Sequence, residues 1–184
     1  MQIEQTNLKD CFLIHNTIHG DERGYFFESF TRNKFYKETG LDINFVQDNQ
    51  SKSSHGVLRG LHFQQGEYAQ TKLVRVLEGK VLDVVVDIRT ASPSFGQSYT
   101  VELSDDNKLQ LFVPRGFAHG FIVLSETATF FYKCDNYYNK ESESGIYYND
   151  SDLAIDWKVP ADKIQLSAKD KELSSFRELL KKNN

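Results

Sequence analysis

Residues 57–64 read Val-Leu-Arg-Gly-Leu-His-Phe-Gln, and the apolar members of this run predict a buried β-strand. Two members, Arg59 and His62, are side chains that a protein core does not favour, because burying a charge is costly unless the charge is paired. An ion or a polar ligand would satisfy both groups. The alternative is that His62 is a core histidine bonded to a carbonyl group, since a buried polar group does not always mark a functional site.

Short strand patterns continue along the chain on both sides of this run. They occupy residues 12–14, 25–30, 43–46, 72–77, 81–88, 99–103, 109–113, 120–124 and 127–135. Glu78-Gly79-Lys80 is a tight turn and predicts that 72–77 and 81–88 pair as a hairpin. Residues 47–54 are polar and predict a loop, whereas residues 33–38 and 167–182 predict short helical segments. The pattern is typical of one jelly-roll-like β domain, spanning residues 1–184 and ending in a helical segment.

Composition limits the partners of the protein. The net charge is -4 and there is no basic patch, so nucleic acid is not expected as a partner. Cys11 and Cys134 lack CxxC spacing, which indicates neither a disulfide framework nor a zinc site. No apolar stretch approaches the about 20 residues that span a bilayer, and no signal peptide is indicated at the start. We therefore expect a cytoplasmic protein without a membrane partner.

A second motif, Pro-x-Gly-x-x-His, runs from Pro114 to His119. Its spacing resembles the second motif of cupins, small β-barrels that often hold a metal ion. A metal-binding cupin also carries His-x-His in its first motif, whereas His62 has no such companion. Two histidines are fewer than the three or four ligands that zinc or iron usually takes. We therefore expect an all-β, cupin-type jelly-roll barrel with a few short peripheral helices, no metal, no cofactor and an organic ligand inside.

The polar side chains of these motifs suit acid–base chemistry. Histidine is the natural general base near neutral pH, and Tyr132 can act as a proton donor. Arg23, Arg59 and Lys72 suit a diphosphate, and a cation beside a developing enolate oxygen would stabilise it. Together they favour proton abstraction next to a ketone. The alternative is that Tyr132 is a core residue of an aromatic strand and that Lys72 and Arg23 are solvated surface charges.

A series of further motifs extends over nearly the whole chain. They are Gly-Asp-Glu-Arg-Gly at 20–24, Phe-Phe-Glu at 26–28, Phe-Val-Gln-Asp-Asn at 45–49, the run at 57–64, Lys-Leu-Val-Arg at 72–75, Val-Val-Asp-Ile-Arg at 85–89, Ser-Pro-Ser-Phe-Gly at 92–96, Val-Pro-Arg-Gly-Phe-Ala-His-Gly-Phe at 113–121, Tyr-Lys at 132–133, Tyr-Tyr at 137–138, Ile-Asp-Trp at 155–157 and Leu-Ser-Ala-Lys-Asp at 166–170. In this order they resemble the dTDP-4-dehydrorhamnose 3,5-epimerase family of the rhamnose pathway.

The resemblance implies a reaction and four catalytic residues. The substrate would be dTDP-4-dehydro-6-deoxy-D-glucose, inverted at C3 and C5 to give dTDP-4-dehydro-L-rhamnose without a cofactor. His62 would act as general base, oriented by Asp170 through its other ring nitrogen. Lys72 would stabilise the enolate at O4, and Tyr132 would return a proton from the opposite face of the ring.

The same resemblance implies the residues that bind the nucleotide sugar and the assembly. Arg59 would bind the diphosphate, and Tyr138 would stack on the thymine. The family is dimeric, and its N-terminal strand adds to the sheet of the partner, so Arg23 and Glu28 would reach the site of the neighbour. The implied substrate-binding residues are Arg23, Glu28, Gln47, Asp48, Asn49, Arg59, His119, Tyr138, Glu143 and Lys169.

Three other functions stay open from the sequence. One is a single-site epimerase that acts only at C3 or only at C5 of a related dTDP-4-keto sugar, because the orientation of the tyrosine can decide the outcome. The second is a non-catalytic sugar-nucleotide binding protein with a cupin fold. The third is a metal-dependent cupin oxygenase or isomerase.

Overall fold

β-Strands make up most of the regular structure of the chain. The structure, a computed structural model, describes residues 1–182, so the predicted domain end at residue 184 lies outside the described part. The strands are β1 (Gln2–Gln5), β2 (Phe12–His15), β3 (His19–Asp21), β4 (Gly24–Phe26), β5 (Gln47–Ser54), β6 (Leu58–Gln64), β7 (Lys72–Glu78), β8 (Lys80–Asp87), β9 (Ser98–Ser104), β10 (Gln110–Val113), β11 (Phe117–Val123), β12 (Thr127–Cys134) and β13 (Glu143–Gly145). The α-helices are α1 (Arg32–Thr39), α2 (Ala168–Lys171) and α3 (Phe176–Lys182), and 3₁₀ turns lie at Gly66–Tyr68 and Ala161–Lys163. None of the helices within residues 1–182 is long and apolar enough to cross a membrane.

Two antiparallel sheets face each other across the main core. One has the strand order β1-β2-β10-β7-β12-β5, and the other has the order β13-β6-β11-β8-β9. Val74 and Phe130 of the first sheet pack with Val85 and Phe121 of the second in one buried cluster. The predicted all-β, jelly-roll architecture with short peripheral helices is confirmed.

The five-stranded sheet is covered on both faces. Along β8, Val81 and Val85 belong to the core between the sheets. Leu82 and Val84 instead pack on the outer side, against C-terminal residues that include Trp157. Because successive side chains of a strand point to opposite faces, a strand buried on both faces is almost continuously apolar. This is why residues 81–88 read as a nearly pure apolar run.

The predicted hairpin between residues 72–77 and 81–88 is wrong. β7 pairs with β10 and β12, whereas β8 pairs with β9 and β11, so the chain passes from one sheet to the other at Gly79. Gly79 has a φ of 80°, and a Cβ there would lie 2.1 Å from the carbonyl oxygen of Thr127. The turn signal was therefore correct as a change of direction, but it does not say which sheet receives the next strand.

The predicted loop at residues 47–54 is also wrong, because these residues form β5 at an edge of the six-stranded sheet. Its side chains alternate between partly buried and exposed along most of its length. One face of β5 meets solvent and the other meets a polar cavity, so the strand lacks the apolar residues that the prediction relied on. The predicted helical segment at 167–182 is divided into α2 and α3, and the predicted strand at 25–30 is reduced to β4.

A buried carboxylate, Asp87, fixes the chain at the end of β8. It accepts hydrogen bonds from the Arg89 guanidinium and from the hydroxyl groups of Ser92 and Ser94. Burial acts to raise the pKa of Asp87, but these hydrogen bonds outweigh it and hold the pKa at about 2. Since the folded-state pKa lies below the ordinary 3.8, the carboxylate stabilises the fold at neutral pH, and this contribution is lost as the pH falls from about 4 to about 2.

Asp87→Asn is expected to lower the free energy of unfolding by about 2 kcal/mol at pH 7. The difference from the unsubstituted protein should shrink at pH 3, as urea unfolding at the two pH values would measure. Asp42→Asn is the control, because Asp42 makes a paired contact with Arg32 at the surface and should contribute too little to resolve. Equal losses at both pH values would contradict the assigned contribution of Asp87.

Candidate active site

A cavity of about 640 Å³ opens between the two sheets, and both sheets contribute to its walls. Its volume is in the range of small-molecule sites. Phe121 and Phe130 form an apolar part of the lining, with ring centroids 4.1 Å apart. Eight of the predicted site residues line it: Asn49, Arg59, His62, Lys72, His119, Tyr132, Lys169 and Asp170.

His62 stands on β6, in the wall formed by the five-stranded sheet, opposite His119 of β11 in the strand register. β6 and β11 approach closely because glycines face each other there. A Cβ at Gly60 would lie 2.5 Å from the Cα atom of Gly120. The imidazole keeps 27% of its side-chain surface exposed to the cavity and solvent, so a ligand can reach it.

Asp170 holds the His62 ring from the C-terminal segment, with 2.5 Å between Asp170 Oδ1 and His62 Nε2. Asp170 is positioned by α2. The backbone N–H of Asp170 donates to the hydroxyl of Ser167, the residue that precedes the helix. Burial acts to raise the pKa of Asp170, but the hydrogen bond from His62, the charge of His62, the hydrogen bond with Ser167 and the charge of Lys169 together lower that pKa. An ionised Asp170 accepts the Nε2 hydrogen, which leaves Nδ1 of His62 as the proton acceptor. The reading of His62 as a core histidine bonded to a carbonyl group is therefore wrong.

Tyr132 and Lys72 lie in the opposite wall, on the neighbouring strands β12 and β7 of the six-stranded sheet. The Lys72 ammonium lies 5.8 Å from the centre of the Tyr132 ring. Burial raises the pKa of Tyr132 to about 12 and lowers the pKa of Lys72. Tyr132 therefore keeps its proton at neutral pH, and the Lys72 side chain lies beside it.

Polar residues extend this wall toward the edge strand β5. Asn49 is the register partner of Tyr132, and its amide contacts Cys134 Sγ at 3.7 Å. Gln47 donates to Asn49 Oδ1 at 3.0 Å but does not line the cavity itself. Arg59 joins the two sheets, since its Nε donates to Ser53 Oγ of β5 at 3.1 Å.

A chain of contacts leads from the cavity to the segment that follows β12. Lys169 forms an ion pair with Glu143, and the Tyr138 hydroxyl donates to Glu143 Oε2 at 2.7 Å. Burial acts to raise the pKa of Glu143, but the hydrogen bonds from Lys169 and Tyr138 outweigh it and lower that pKa. Lys169 lines the cavity, whereas Glu143 and Tyr138 do not and are connected to it through Lys169.

His119 has a partner that the sequence reading missed. Its Nε2 lies 2.9 and 3.1 Å from the two carboxylate oxygens of Asp83, and both residues are buried. Asp83 points between the sheets from β8, where its neighbours are apolar. A carboxylate between apolar residues of a strand was the available signal, because such a group needs a buried partner.

Besides Gln47, Tyr138 and Glu143, three further predicted binding residues do not line the cavity of this chain. Arg23 and Glu28 lie at and just after the exposed β3–β4 hairpin, where they form ion pairs with Asp21 and Lys34. Asp48 is exposed and bonds to Lys133, because alternation along β5 turns it away from Asn49. Motif matching cannot distinguish the two faces of a strand whose position in the sheet is unknown.

The titratable groups of the site do not form a metal-ligand set. Within residues 1–182, no three His, Cys, Asp or Glu side chains are placed to share one ion. His62 and His119 are instead each bonded to a different carboxylate. The arrangement is suited to moving protons, with a histidine–carboxylate pair on one side of the cavity and a protonated phenol on the other.

Comparison with known proteins places this site in a family. The sequence profile of dTDP-4-dehydrorhamnose 3,5-epimerases matches residues 5–178. The enzyme of that name from Escherichia coli strain K12 is 51% identical over 181 residues, which are 98% of this chain and 97% of that protein.

Solved structures agree in fold. The crystal structure of dTDP-4-dehydrorhamnose 3,5-epimerase from Elizabethkingia anophelis NUHP1 has a TM-score of 0.94 and 59% identity, covering 97% of both chains. The dTDP-6-deoxy-D-glucose-3,5-epimerase of Legionella pneumophila Philadelphia 1, in complex with dTDP-4-keto-L-rhamnose, has a TM-score of 0.92 and 49% identity, covering 96% of this chain and 93% of that one. This chain belongs to the dTDP-4-dehydrorhamnose 3,5-epimerase family.

Proposed function

We propose that this protein inverts C3 and C5 of dTDP-4-dehydro-6-deoxy-D-glucose to give dTDP-4-dehydro-L-rhamnose. The observation that carries the proposal is the placement of His62 and Tyr132 on opposite sheets, across one cavity. Inversion at a carbon requires that a proton leave from one face of the ring and return to the other. Opposed walls with a base and an acid supply both steps without a cofactor.

The proposed mechanism begins at the C4 ketone, which acidifies the protons on C3 and C5. His62 takes the proton through Nδ1, and the electrons of the C–H bond move into an enolate whose charge lies on O4. Lys72 stabilises that oxygen, because its ammonium acts in a buried setting where charge interactions are strong. Tyr132 then gives its proton to the carbon from the opposite face, and Lys72 beside it stabilises the phenolate that remains.

Asp170 completes the base by keeping the imidazole in one tautomer and by stabilising the imidazolium that forms. His119, held by Asp83, lies next to His62 and lines the same cavity. We assign it to contact with the sugar, with its ring held in place by the Asp83 carboxylate.

The nucleotide part is proposed to bind at the rim of the cavity. Arg59 and Lys169 line the cavity and provide the positive charge that a diphosphate requires. Tyr138 provides an exposed aromatic face for the thymine.

We also propose that the protein is a homodimer whose β3–β4 hairpins carry Arg23 and Glu28 to the cavity of the partner. The hairpin is exposed on all its residues, including the large side chains Tyr25 and Phe26. β1 forms an edge of the six-stranded sheet, where a strand of a second copy can add. Exposed aromatic surface beside an open sheet edge is typical of an interface.

Incubation with the 4-keto sugar nucleotide in deuterated water tests the proposed function. Deuterium should appear at both C3 and C5 together with the L-rhamno product, as NMR and mass spectrometry would show. Label at only one carbon would make the protein a single-site epimerase. Binding of the nucleotide sugar without exchange at either carbon would leave a non-catalytic binding protein.

Lys72 gives a pH-dependent prediction. Since burial lowers its pKa below the ordinary 10.5, the ammonium is lost at a lower pH than in a free lysine, and kcat should fall on the alkaline side of the profile below pH 10.5. In Lys72→Arg the positive charge persists at high pH, so the remaining activity should continue to a higher pH than in the unsubstituted protein. The limit is then set by loss of the Tyr132 proton, whose pKa is about 12. The measurement is kcat from pH 6 to the alkaline limit of stability. An unchanged alkaline limb in Lys72→Arg would refute the role of Lys72.

A further inference from the structure

Gln64 is a buried residue of the central strand that the proposed reaction does not use. It is the last residue of β6 and follows His62 by two positions, so both side chains point to the same side of the strand. Only 8% of its surface is exposed. A buried amide normally has its donors and acceptors satisfied, so the partners of Gln64 show what it holds in place.

The amide of Gln64 makes three hydrogen bonds to backbone groups. Nε2 donates to the carbonyl oxygens of Tyr68, at 3.2 Å, and Tyr137, at 3.3 Å. Oε1 accepts from the N–H of Asn139 at 2.8 Å. Two of the three partners therefore belong to the residues immediately before and after Tyr138.

Tyr138 itself is held at two further points although half of its surface is exposed. Its backbone N–H donates to Gln47 Oε1 at 3.2 Å, and its hydroxyl donates to Glu143. Residues 137–139 lie outside the regular strands, where an exposed tyrosine would otherwise sample several rotamers. The contacts from Gln64 and Gln47 fix the backbone on both sides of the ring, and the bond to Glu143 fixes its end.

We propose that Gln64 is a positioning residue that pre-organises Tyr138 to receive the nucleotide base. The proposal rests on the proposed function, in which Tyr138 stacks on the thymine. A ligand that binds an already ordered side chain does not pay the entropy of ordering it, so pre-organisation raises affinity without a new contact. Gln64 thus links the strand that carries the catalytic base to the residue that receives the nucleotide.

The test is a double-mutant cycle on the affinity for dTDP, measured by titration calorimetry with the unsubstituted protein, Gln64→Leu, Tyr138→Ala and the double variant. Each single substitution should weaken dTDP binding about tenfold. Because Gln64 acts through Tyr138, the double variant should bind no more weakly than Tyr138→Ala. With the full substrate, Gln64→Leu should raise KM by a similar factor and leave kcat within about twofold.

Asn107→Leu is the matched control, because Asn107 also makes three hydrogen bonds through its amide, in the turn between β9 and β10. It should lower stability without weakening dTDP binding. If Gln64→Leu does not fold, Gln64→Glu serves instead, since it keeps the acceptor for Asn139 and loses both donated bonds. Additive effects of Gln64 and Tyr138, or equal weakening in Asn107→Leu, would overturn the positioning role. Failure of the unsubstituted protein to bind dTDP would instead refute the proposed function.

Discussion

His62→Ala is expected to abolish deuterium exchange at both C3 and C5 and to lower kcat by at least about 10³-fold. General acid–base groups typically contribute about 10²–10⁴ to the rate, and here one imidazole is proposed to serve both carbons. The Asp170 carboxylate would lose its partner, but the Asp170 backbone N–H would still donate to the Ser167 hydroxyl, so the cavity wall should persist. The measurement is solvent deuterium incorporation at each carbon by NMR, with dTDP affinity as the check that the site is formed.

His55→Ala is the matched control for this prediction. His55 is an exposed histidine whose ring bonds to the carbonyl oxygen of Leu124, outside the cavity lining. Its removal should leave exchange and kcat unchanged. Exchange that persists at either carbon in His62→Ala would mean that another group takes that proton, and His119 would then be the nearest candidate across the strand register.

The architecture was largely predictable because strand patterns report burial. Residues 81–88 and 127–135 were identified from apolar and aromatic content, and both are strands buried against the core. β5 was missed for the opposite reason, because it faces a polar cavity on one side and solvent on the other. Sheet membership was also not predictable, since nothing in the local sequence at Gly79 distinguishes a hairpin turn from a crossing between sheets.

The site was predictable to the extent that its residues stand out locally. Arg59 and His62 are conspicuous within an apolar run, and the structure places both at the cavity. The contact of His62 with Asp170 spans 108 positions of sequence, and only the family resemblance suggested it. Asp83 was overlooked because an acid within an apolar strand gives no indication of which side chain across the sheet it meets.

The proposal is tested most directly by separating proton removal from proton return, and Tyr132→Phe does so. Phenylalanine keeps the ring in the aromatic cluster with Phe130 and removes only the hydroxyl. His62 should still remove protons and return deuterium to the same face, so exchange should continue at both carbons. Net inversion should fall by about 10²–10³-fold, because no acid remains in the opposite wall.

The readout for Tyr132→Phe is the ratio of deuterium exchange to epimerised product, followed by NMR over time. Tyr99→Phe is its control, since Tyr99 packs against the same core from β9 but does not line the cavity. Full inversion in Tyr132→Phe would show that the proton returns from another group or from water. If both exchange and inversion were lost, Tyr132 would act before the enolate forms. The assignment of His62 as the base acting first would then no longer hold. Only continued exchange with suppressed inversion agrees with an acid and a base that face each other from separate sheets.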